Sequence, residues 1–350
     1  MSITDWLNQD SGEWMKGVGP ESDVVISSRI RLARNIHGIP FPAAASPEQL
    51  NHVLELVQTA SANLEEVGNL EYSSMADLEP RDRQILMERH LISPQHLEDV
   101  AYKGIVLRED EAISVMINEE DHLRLQVLGS GLQLNVIWQL CSQLDDGYDR
   151  QLEYAYSDEL GFLSACPTNL GTGLRASVMI HLPALVITNQ IGKVLATIGQ
   201  FGFTVRGLYG EGTEAVGNIY QLSNQVSLGP GEEEIISHLD NMARQMIHHE
   251  RQAREQLVLK RRLDLEDRIY RSYGILAYGR KFSSQEAMEH LSAVRLGIDL
   301  ELIKGLEPKI LQEVLINIQP GHLQKALGRE MSPAERDVQR ATLIRSRIKF

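Results

Sequence analysis

Along the first 250 residues the apolar positions change period repeatedly. Short runs rich in β-branched residues, Asp23-Val24-Val25-Ile26-Ser27, Ile113-Ser114-Val115-Met116-Ile117 and Val178-Met179-Ile180-His181-Leu182, predict strands. Amphipathic stretches separate them. Ser46-Pro47-Glu48-Gln49 offers a hydroxyl cap with proline at the first position, and Leu50, Val53, Leu54 and Val57 follow at helical spacing, which predicts a helix. The strands are not spaced as regular βαβ units, so this part reads as mixed α/β. After the turn cluster that ends at Gly231, a charged helical pattern runs from Glu232 to about Tyr273 with almost no helix breakers. A domain boundary is expected inside it, near residue 255, giving parts 1–255 and 256–350. The second part reads as all-helical: Ser283-Ser284-Gln285-Glu286 and Ser332-Pro333-Ala334-Glu335 carry the capping-box pattern, while Pro308 and Pro320-Gly321 mark turns. Its apolar residues from Leu300 to Leu315 are so crowded that the segment needs a covering surface, either the first part or a second copy of the chain.

Composition narrows the class. With 43% apolar and 23% charged residues the chain is an ordinary globular sequence. Its apolar stretches are cut by His181, Pro183 and Asn189 far short of the roughly 18 residues of a membrane span, and the first residues lack a secretory pattern, so a cytoplasmic protein without membrane contact is expected. Cys141 and Cys166, the only cysteines, have neither disulfide nor zinc spacing. The net charge of −14 is uneven: residues 1–250 hold 15 Lys and Arg against 35 Asp and Glu, and residues 251–350 hold 19 against 13. An acidic body repels nucleic acid, and the alternating signs from Lys260 to Arg268 suit a solvated helix face, so no direct nucleic-acid binding is expected.

Four segments carry candidate chemistry. In Ser27-Ser28-Arg29-Ile30-Arg31 the two arginines lie two apart on a strand and share a face, where they either converge on an anion or are solvated on an edge; Arg34 reads as structural. In Asn118-Glu119-Glu120-Asp121-His122-Leu123-Arg124, three consecutive carboxylates require something positive, a metal or a guanidinium or ammonium group, unless they form a solvated turn. Ser164-Ala165-Cys166-Pro167-Thr168-Asn169-Leu170-Gly171-Thr172-Gly173-Leu174-Arg175-Ala176 is a glycine-bearing loop with a lone thiol, either approached by Thr168 so that the thiolate is favoured or simply a buried inert cysteine. It has no acidic residue about 20 positions later, so a Rossmann reading fails, and no P-loop motif occurs. Val205-Arg206-Gly207-Leu208-Tyr209-Gly210-Glu211-Gly212 adds one more arginine and a carboxylate, in a site or a simple hairpin. Five arginines, two carboxylates and a thiol suit phosphoryl transfer from a nucleotide to a positively charged acceptor.

These segments resemble the signatures of the ATP:guanido phosphotransferases, Cys166 to Gly173 most specifically. The resemblance implies an α+β fold with a saddle-shaped antiparallel sheet flanked by helices, and MgATP held by Ser27, Ser28, Arg29, Ile30, Arg31, His90, Arg124, Arg175, Ala176, Ser177, Val178, Met179 and Arg206 to Glu211 (Arg206, Gly207, Leu208, Tyr209, Gly210, Glu211). It implies that Glu120 orients or deprotonates the acceptor guanidinium, that Glu211 grips it, and that Cys166 lies beside it. Mg²⁺ would come with ATP, with no separate metal site. Only 26 residues precede Ser27, which leaves no room for the small helical domain that closes over free guanidino compounds in phosphagen kinases. With the helical C-terminal part, the arrangement is similar to the protein-arginine kinase branch of the family over essentially the whole chain. That branch implies arginine-bearing protein substrates, among them a DNA-binding heat-shock repressor, a zinc-binding activator protein, a Clp-type AAA+ protease, and a homodimer. It also implies an allosteric phosphoarginine site at Arg336, Asp337, Val338, Gln339, Arg340 and Ala341, where two arginines at i and i+4 are expected to face one phosphate. A small-molecule guanidino kinase and an inactive phosphoarginine-binding adaptor are the competing readings.

Overall fold

The computed structural model describes residues 3–7, 12–207 and 215–348. Its strands are β1 (Val25–Arg34), β2 (Leu70–Ser74), β3 (Gly104–Arg108), β4 (Ile113–Ile117), β5 (Leu123–Ser130), β6 (Tyr156–Ser157), β7 (Gly161–Phe162), β8 (Leu174–His181), β9 (Phe203–Gly207) and β10 (Ile219–Asn224). Its helices are α1 (Ile3–Trp6), α2 (Pro47–Ala62), α3 (Pro80–Glu88), α4 (Leu134–Asp149), α5 (Pro183–Ile187), α6 (Ile191–Gly199), α7 (Glu232–Lys260), α8 (Arg262–Tyr278), α9 (Ser284–Asp299), α10 (Pro308–Asn317), α11 (Pro320–Leu327) and α12 (Pro333–Arg347). Eight strands form one sheet in the order β2-β3-β4-β5-β1-β8-β10-β9, antiparallel at every pairing, and β6 and β7 form a separate pair. The fold is α+β.

Alternation along the central strands divides their residues between two faces. Ile30 and Leu32 of β1, Leu125 and Val127 of β5, Ala176 and Val178 of β8 and Leu222 of β10 point one way, all fully buried. They meet α4 and α7, whose Ile137, Leu144, Leu239 and Ala243 complete that layer. Burial on this side drives the fold; the opposite face is apolar where Ile105, Leu107, Met116 and Leu128 meet a second core with α1 and α3, and polar where the central strands carry their arginines.

The helix starts follow their local chemistry. Ser46 and Ser332 each form a reciprocal capping box, with Gln49 and Glu335, while Ser283 caps α9 through the amide of Glu286. Pro308 and Pro320, read as turn markers, stand instead at the first position of α10 and α11. The pattern read as continuous to Tyr273 is two helices, broken where Arg261 leaves helical geometry (φ −140°, ψ 37°). Neither proline nor glycine signals this break. It turns α8 so that Leu265, Ile269 and Leu276 pack into the core beside α9.

The crowded apolar residues of the C-terminal helices are buried against the first part of the chain: Ile303, Leu311 and Val314 join the same core as the sheet. Polar ties cross as well, from Arg295 to the carbonyl of Ser22 (2.5 Å) and from Gln312 to that of Trp14 (3.2 Å). Among the described residues no helix is long and apolar enough to cross a membrane.

Candidate active site

Strand register explains how distant arginines meet. Arg31 of β1 lies opposite Arg175 of β8, Ala33 lies opposite Arg124 of β5, and Arg29 lies opposite Ser177. On β10, Ser223 pairs with Ser177 and Gln221 with Met179, and Gln221 also pairs with Arg206 of β9. Directly paired residues project to the same side. Arg29, Arg31, Arg124, Arg175 and Arg206, from four strands, therefore share the polar face. There they line a cleft of about 400 Å³ with Glu120, Cys166, Thr168, Asn169, Gly173, Gly207, Gln221 and Ser223.

The arrangement is electrostatically unfavourable as it stands. The Arg29 guanidinium is pushed down to about 10, first by burial and then by Arg124 and Arg175. Arg31 is lowered further by burial and by Arg29, Arg124 and Arg175, with Glu119 opposing. Arg175 is lowered by burial, Arg206 and Arg124, and Cys166 opposes. The buried Nε of Arg31 has no hydrogen-bond partner among the described residues. Guanidiniums that stay charged while repelling one another, with a buried donor left over, describe a site built for a multiply charged anion.

The carboxylates divide their tasks. The turn between β4 and β5 brings Glu119 to 2.7 Å from Arg124, while Glu120 reaches the same guanidinium at 3.4 Å with its side chain 43% exposed. Asp121 turns inward and accepts from neutral donors, Asn35 Nδ2 (2.7 Å), Ser164 Oγ (2.9 Å) and the amide of Ala165 (2.8 Å). The expectation that all three carboxylates meet positive charge is thus corrected for Asp121, because a buried carboxylate is also satisfied by converging N–H and O–H groups.

Asp121 anchors the thiol loop. Ser164 Oγ, held by Asp121, accepts from the amide of Cys166 (3.2 Å), and Cys166 Sγ lies 3.1 Å from Thr168 Oγ1. Ser227 closes the far side, donating to the carbonyls of Thr168 (2.8 Å) and Leu170 (2.9 Å) and accepting the amide of Thr172 on its own carbonyl (3.0 Å). Gly173 has φ +66°, and a Cβ there would sit 2.6 Å from Arg34 Nη1 and 2.7 Å from the carbonyl of Ala33. Arg34 is structural: it is buried, pairs with Asp145 at 2.6 Å, donates to the carbonyl of Thr172 and stacks 3.5 Å over Phe162. Nothing in the sequence pattern pointed to Asn35 or Ser227, whose partners lie tens of residues away.

Comparison with known proteins places this geometry. Residues 52–253 match the ATP:guanido phosphotransferase C-terminal catalytic domain, and residues 262–350 match the protein-arginine kinase McsB C-terminal domain. A protein-arginine kinase of Symbiobacterium thermophilum is 51% identical over 99% of both chains, and one of Desulforamulus reducens is 51% identical over 99% of this chain and 98% of its own. The chain belongs to the protein-arginine kinases. Among solved structures, lombricine kinase superposes with a TM-score of 0.60 at 25% identity over 71% of this chain and 75% of that one. The duplicated taurocyamine kinase of Schistosoma mansoni, solved with transition-state-analogue components, shares the fold with a TM-score of 0.61 at 24% identity, over 81% of this chain and 41% of that one. The catalytic match begins after β1, so in this kinase Arg29 and Arg31 are placed by geometry rather than by that match.

The remaining expected site residues of this kinase separate into groups. Ser27, Ser177, Met179 and His90 line a narrower pocket with Trp14, Leu128, Arg29 and Gln221, and the last two also line the main cleft. His90 is neutral there, pushed down to about 3 by burial and then by Arg29. Ile30, Ala176 and Val178 are corrected: strand alternation turns them into the core, so their side chains take no part in the cleft. Ser28 faces that side too, and its hydroxyl ties the turn after β5 through the carbonyl of Gly131 (2.7 Å) and the amide of Gln133 (3.1 Å). Leu208, Tyr209, Gly210 and Glu211 lie outside the described residues.

The C-terminal motif departs from its expected geometry. Arg340 is 2% exposed and is consumed internally, donating to the carbonyls of Ile318 (3.1 Å) and Phe282 (2.7 Å) and to Asp337 (2.7 Å). Arg336 is partly exposed and donates to the carbonyl of Met331, Val338 is exposed, Gln339 is partly exposed, and Ala341 is in the core. The i, i+4 spacing does not bring both guanidiniums to one external phosphate, because the turn that buries Ala341 and Ile344 also carries Arg340 inward.

Proposed function

We propose that this kinase transfers the γ-phosphoryl group of MgATP to the guanidinium of arginine residues in proteins. The observation that carries the reading is the convergence of five arginines with Glu120 and Cys166 in one cleft. A triphosphate fits this donor set: it relieves the repulsion that lowers Arg29, Arg31 and Arg175 and supplies an acceptor for the unpartnered Arg31 Nε. The pocket at Ser27, His90, Ser177 and Met179 would take the other end of the nucleotide. The family reading has Mg²⁺ arrive with ATP, where it would supply charge neutralisation on the phosphates while the cleft arginines hold them.

The acceptor guanidinium is a poor nucleophile while protonated, since its pKa exceeds about 12. Glu120, exposed at the mouth and only loosely engaged with Arg124, is placed to receive its proton as the nitrogen attacks. The N–P bond forms, the bond from γ-phosphorus to the bridging oxygen breaks, and the electron pair leaves with ADP. The arginines hold the phosphoryl oxygens in line. Cys166, fixed by Ser164 and beside Thr168, faces the same space and stabilises the cationic acceptor electrostatically.

Further elements of the reading rest on the family. We infer a catalytic part at residues 1–255 and a helical part at 256–350, supported by the two matched ranges on either side of the α7–α8 break. Likeness to the protein-arginine kinase branch supports a homodimer in the cytoplasm, a DNA-binding heat-shock repressor of the stress response among the substrates, a zinc-binding activator, delivery to a Clp-type AAA+ protease, and allosteric phosphoarginine feedback at the Arg336–Ala341 segment. The acidic body, −20 over residues 1–250, favours encounter with basic protein segments. The test is incubation with γ-labelled ATP, Mg²⁺ and either casein or free L-arginine. Acid-labile label on casein and none on arginine is expected. Label on the free amino acid alone overturns the protein-substrate reading, and no label overturns the kinase reading.

A further inference from the structure

We propose that His322, on the C-terminal helix α11, is a positioning residue for the nucleotide end of the active site, acting through Arg89 and His90. The inference rests on the reading that the pocket at His90 takes nucleotide. Glu88, the last residue of α3, caps α11 from outside it: one carboxylate oxygen accepts from the amide of Gly321 (2.7 Å) and from Gln84 Nε2 (3.0 Å), the other from the amide of His322 (3.1 Å) and from His322 Nδ1 (2.8 Å). Gly321 is required for this approach, since a Cβ would lie 2.9 Å from Glu88 Oε2.

These contacts fix the state of the imidazole. A carboxylate only accepts, so Nδ1 carries the hydrogen, and Nε2 is left to accept from Arg89 Nε at 3.2 Å. Protonating Nε2 would set its N–H against that of Arg89. The groups facing the ring are Glu88 and Arg89 from the end of α3 and Lys325 from its own helix, and Lys325 itself pairs with Asp82 at 2.9 Å. Arg89 also donates to Glu111 and to the carbonyl of Leu7, and its own carbonyl accepts from Trp14 Nε1 (3.1 Å).

One residue further on is His90, held in the left-handed region at φ 59°. Its ring packs against Trp14 with centroids 5.4 Å apart and planes tilted by 59°, and its carbonyl accepts from Gln126 Nε2 (2.9 Å) on the arginine face of the sheet. A non-glycine residue keeps such a backbone only where its surroundings over-determine it. His322 supplies one of those restraints across 233 residues of chain.

The test is MgADP titration by calorimetry together with ATP KM and kcat on the full-length protein. His322→Ala removes the acceptor for Arg89 and one donor to Glu88, and is expected to weaken MgADP binding and raise the ATP KM about tenfold, a change of about 1.4 kcal/mol, with kcat within about threefold. His322→Gln keeps one donor and one acceptor and is expected to stay within about twofold of wild type. Lys325→Ala releases the neighbouring α11–α3 tie without touching Arg89 and should leave the affinity unchanged. Wild-type affinity in His322→Ala, or equal weakening in Lys325→Ala, overturns the proposal. Should His322→Ala fail to fold, His322→Lys, which offers donors only, must bind MgADP more weakly than His322→Gln; equal binding overturns it. If the predicted order appears in ADP binding while no protein is phosphorylated, the proposed function fails and this inference stands; a wild type that binds no ADP removes both.

Discussion

Removing one of the crowded cleft arginines should make the nucleotide-free protein more stable. The fall of Arg29 from an ordinary value of about 12.5 to about 10 corresponds to about 3 kcal/mol of disfavour for holding that charge in the cleft. Arg29→Met retains the apolar stem and deletes the charge. Against the gain stands the lost bond from Arg29 Nε to Ser177 Oγ, long at 3.3 Å and worth about 1 kcal/mol or less. Solvent screening of this partly exposed group reduces the gain further, which leaves a net stabilisation of about 1 to 2 kcal/mol. Urea unfolding in phosphate-free buffer measures it. MgADP affinity should fall at least thirtyfold, roughly 2 kcal/mol for a lost charge-assisted contact. Added inorganic phosphate should stabilise the wild type more than the variant, because only the wild type has the full binding site. A variant less stable than wild type in the absence of anions would refute the reasoning, since the arginines would then not be in mutual conflict.

Glu120→Gln keeps size and polarity but cannot take a proton, so phosphoryl transfer to protein should fall at least about 100-fold with MgADP affinity within about twofold; retained turnover would exclude Glu120 as the base. Asp121→Asn replaces one acceptor oxygen with a donor that faces Asn35, Ser164 and Ala165, and is expected to cost about 2 kcal/mol in urea unfolding and to slow transfer by displacing the Cys166 loop. Unchanged stability would show that the loop is anchored elsewhere. His96, buried and donating to the carbonyl of Gly104, is pushed down to about 3 by burial. Between about pH 6.5 and about pH 3 the unfolded chain binds this proton and the folded chain does not, so stability falls on acidification by up to about 1.4 kcal/mol per pH unit for this one residue. His96→Gln should flatten that slope by one proton, and an unaltered slope would show that His96 is not buried neutral.

How much of the site was legible depended on the range of the interaction that makes it. Arg29 and Arg31 two apart on a strand share a face by local geometry, and that inference needed only the period of β1. The same period, applied strictly, turns Ile30, Ala176 and Val178 inward; treating the motifs as continuous blocks obscured this. Arg124, Arg175 and Arg206 were each visible near the end or start of an apolar run, but their meeting depends on register between β5, β1, β8 and β10, which is set by long-range pairing. Asp121 shows the limit of counting charges, because its partners are neutral donors brought from the residue after β1 and the thiol loop. Arg340 shows the limit of helical spacing, which says that two side chains share a face but not whether that face is buried. The boxes at Ser46 and Ser332 were legible in full, since a cap and its partner amide lie within one turn, whereas Ser283 caps α9 through the Glu286 amide without the reciprocal bond.

The cap on α11 also bears on when the enzyme becomes competent during its own synthesis. An eight-residue helix does not persist alone in water, and the groups that satisfy its first amides were made 233 residues earlier, at Glu88. A nascent chain that has emerged only as far as α9 therefore carries every strand of the arginine cleft but lacks the imidazole beside Arg89 and the apolar residues of α10 and α12 that complete the shared core. On the proposal made for His322, affinity for nucleotide matures only when the last helices dock. The order of translation itself would then guard against phosphorylation by unfinished copies.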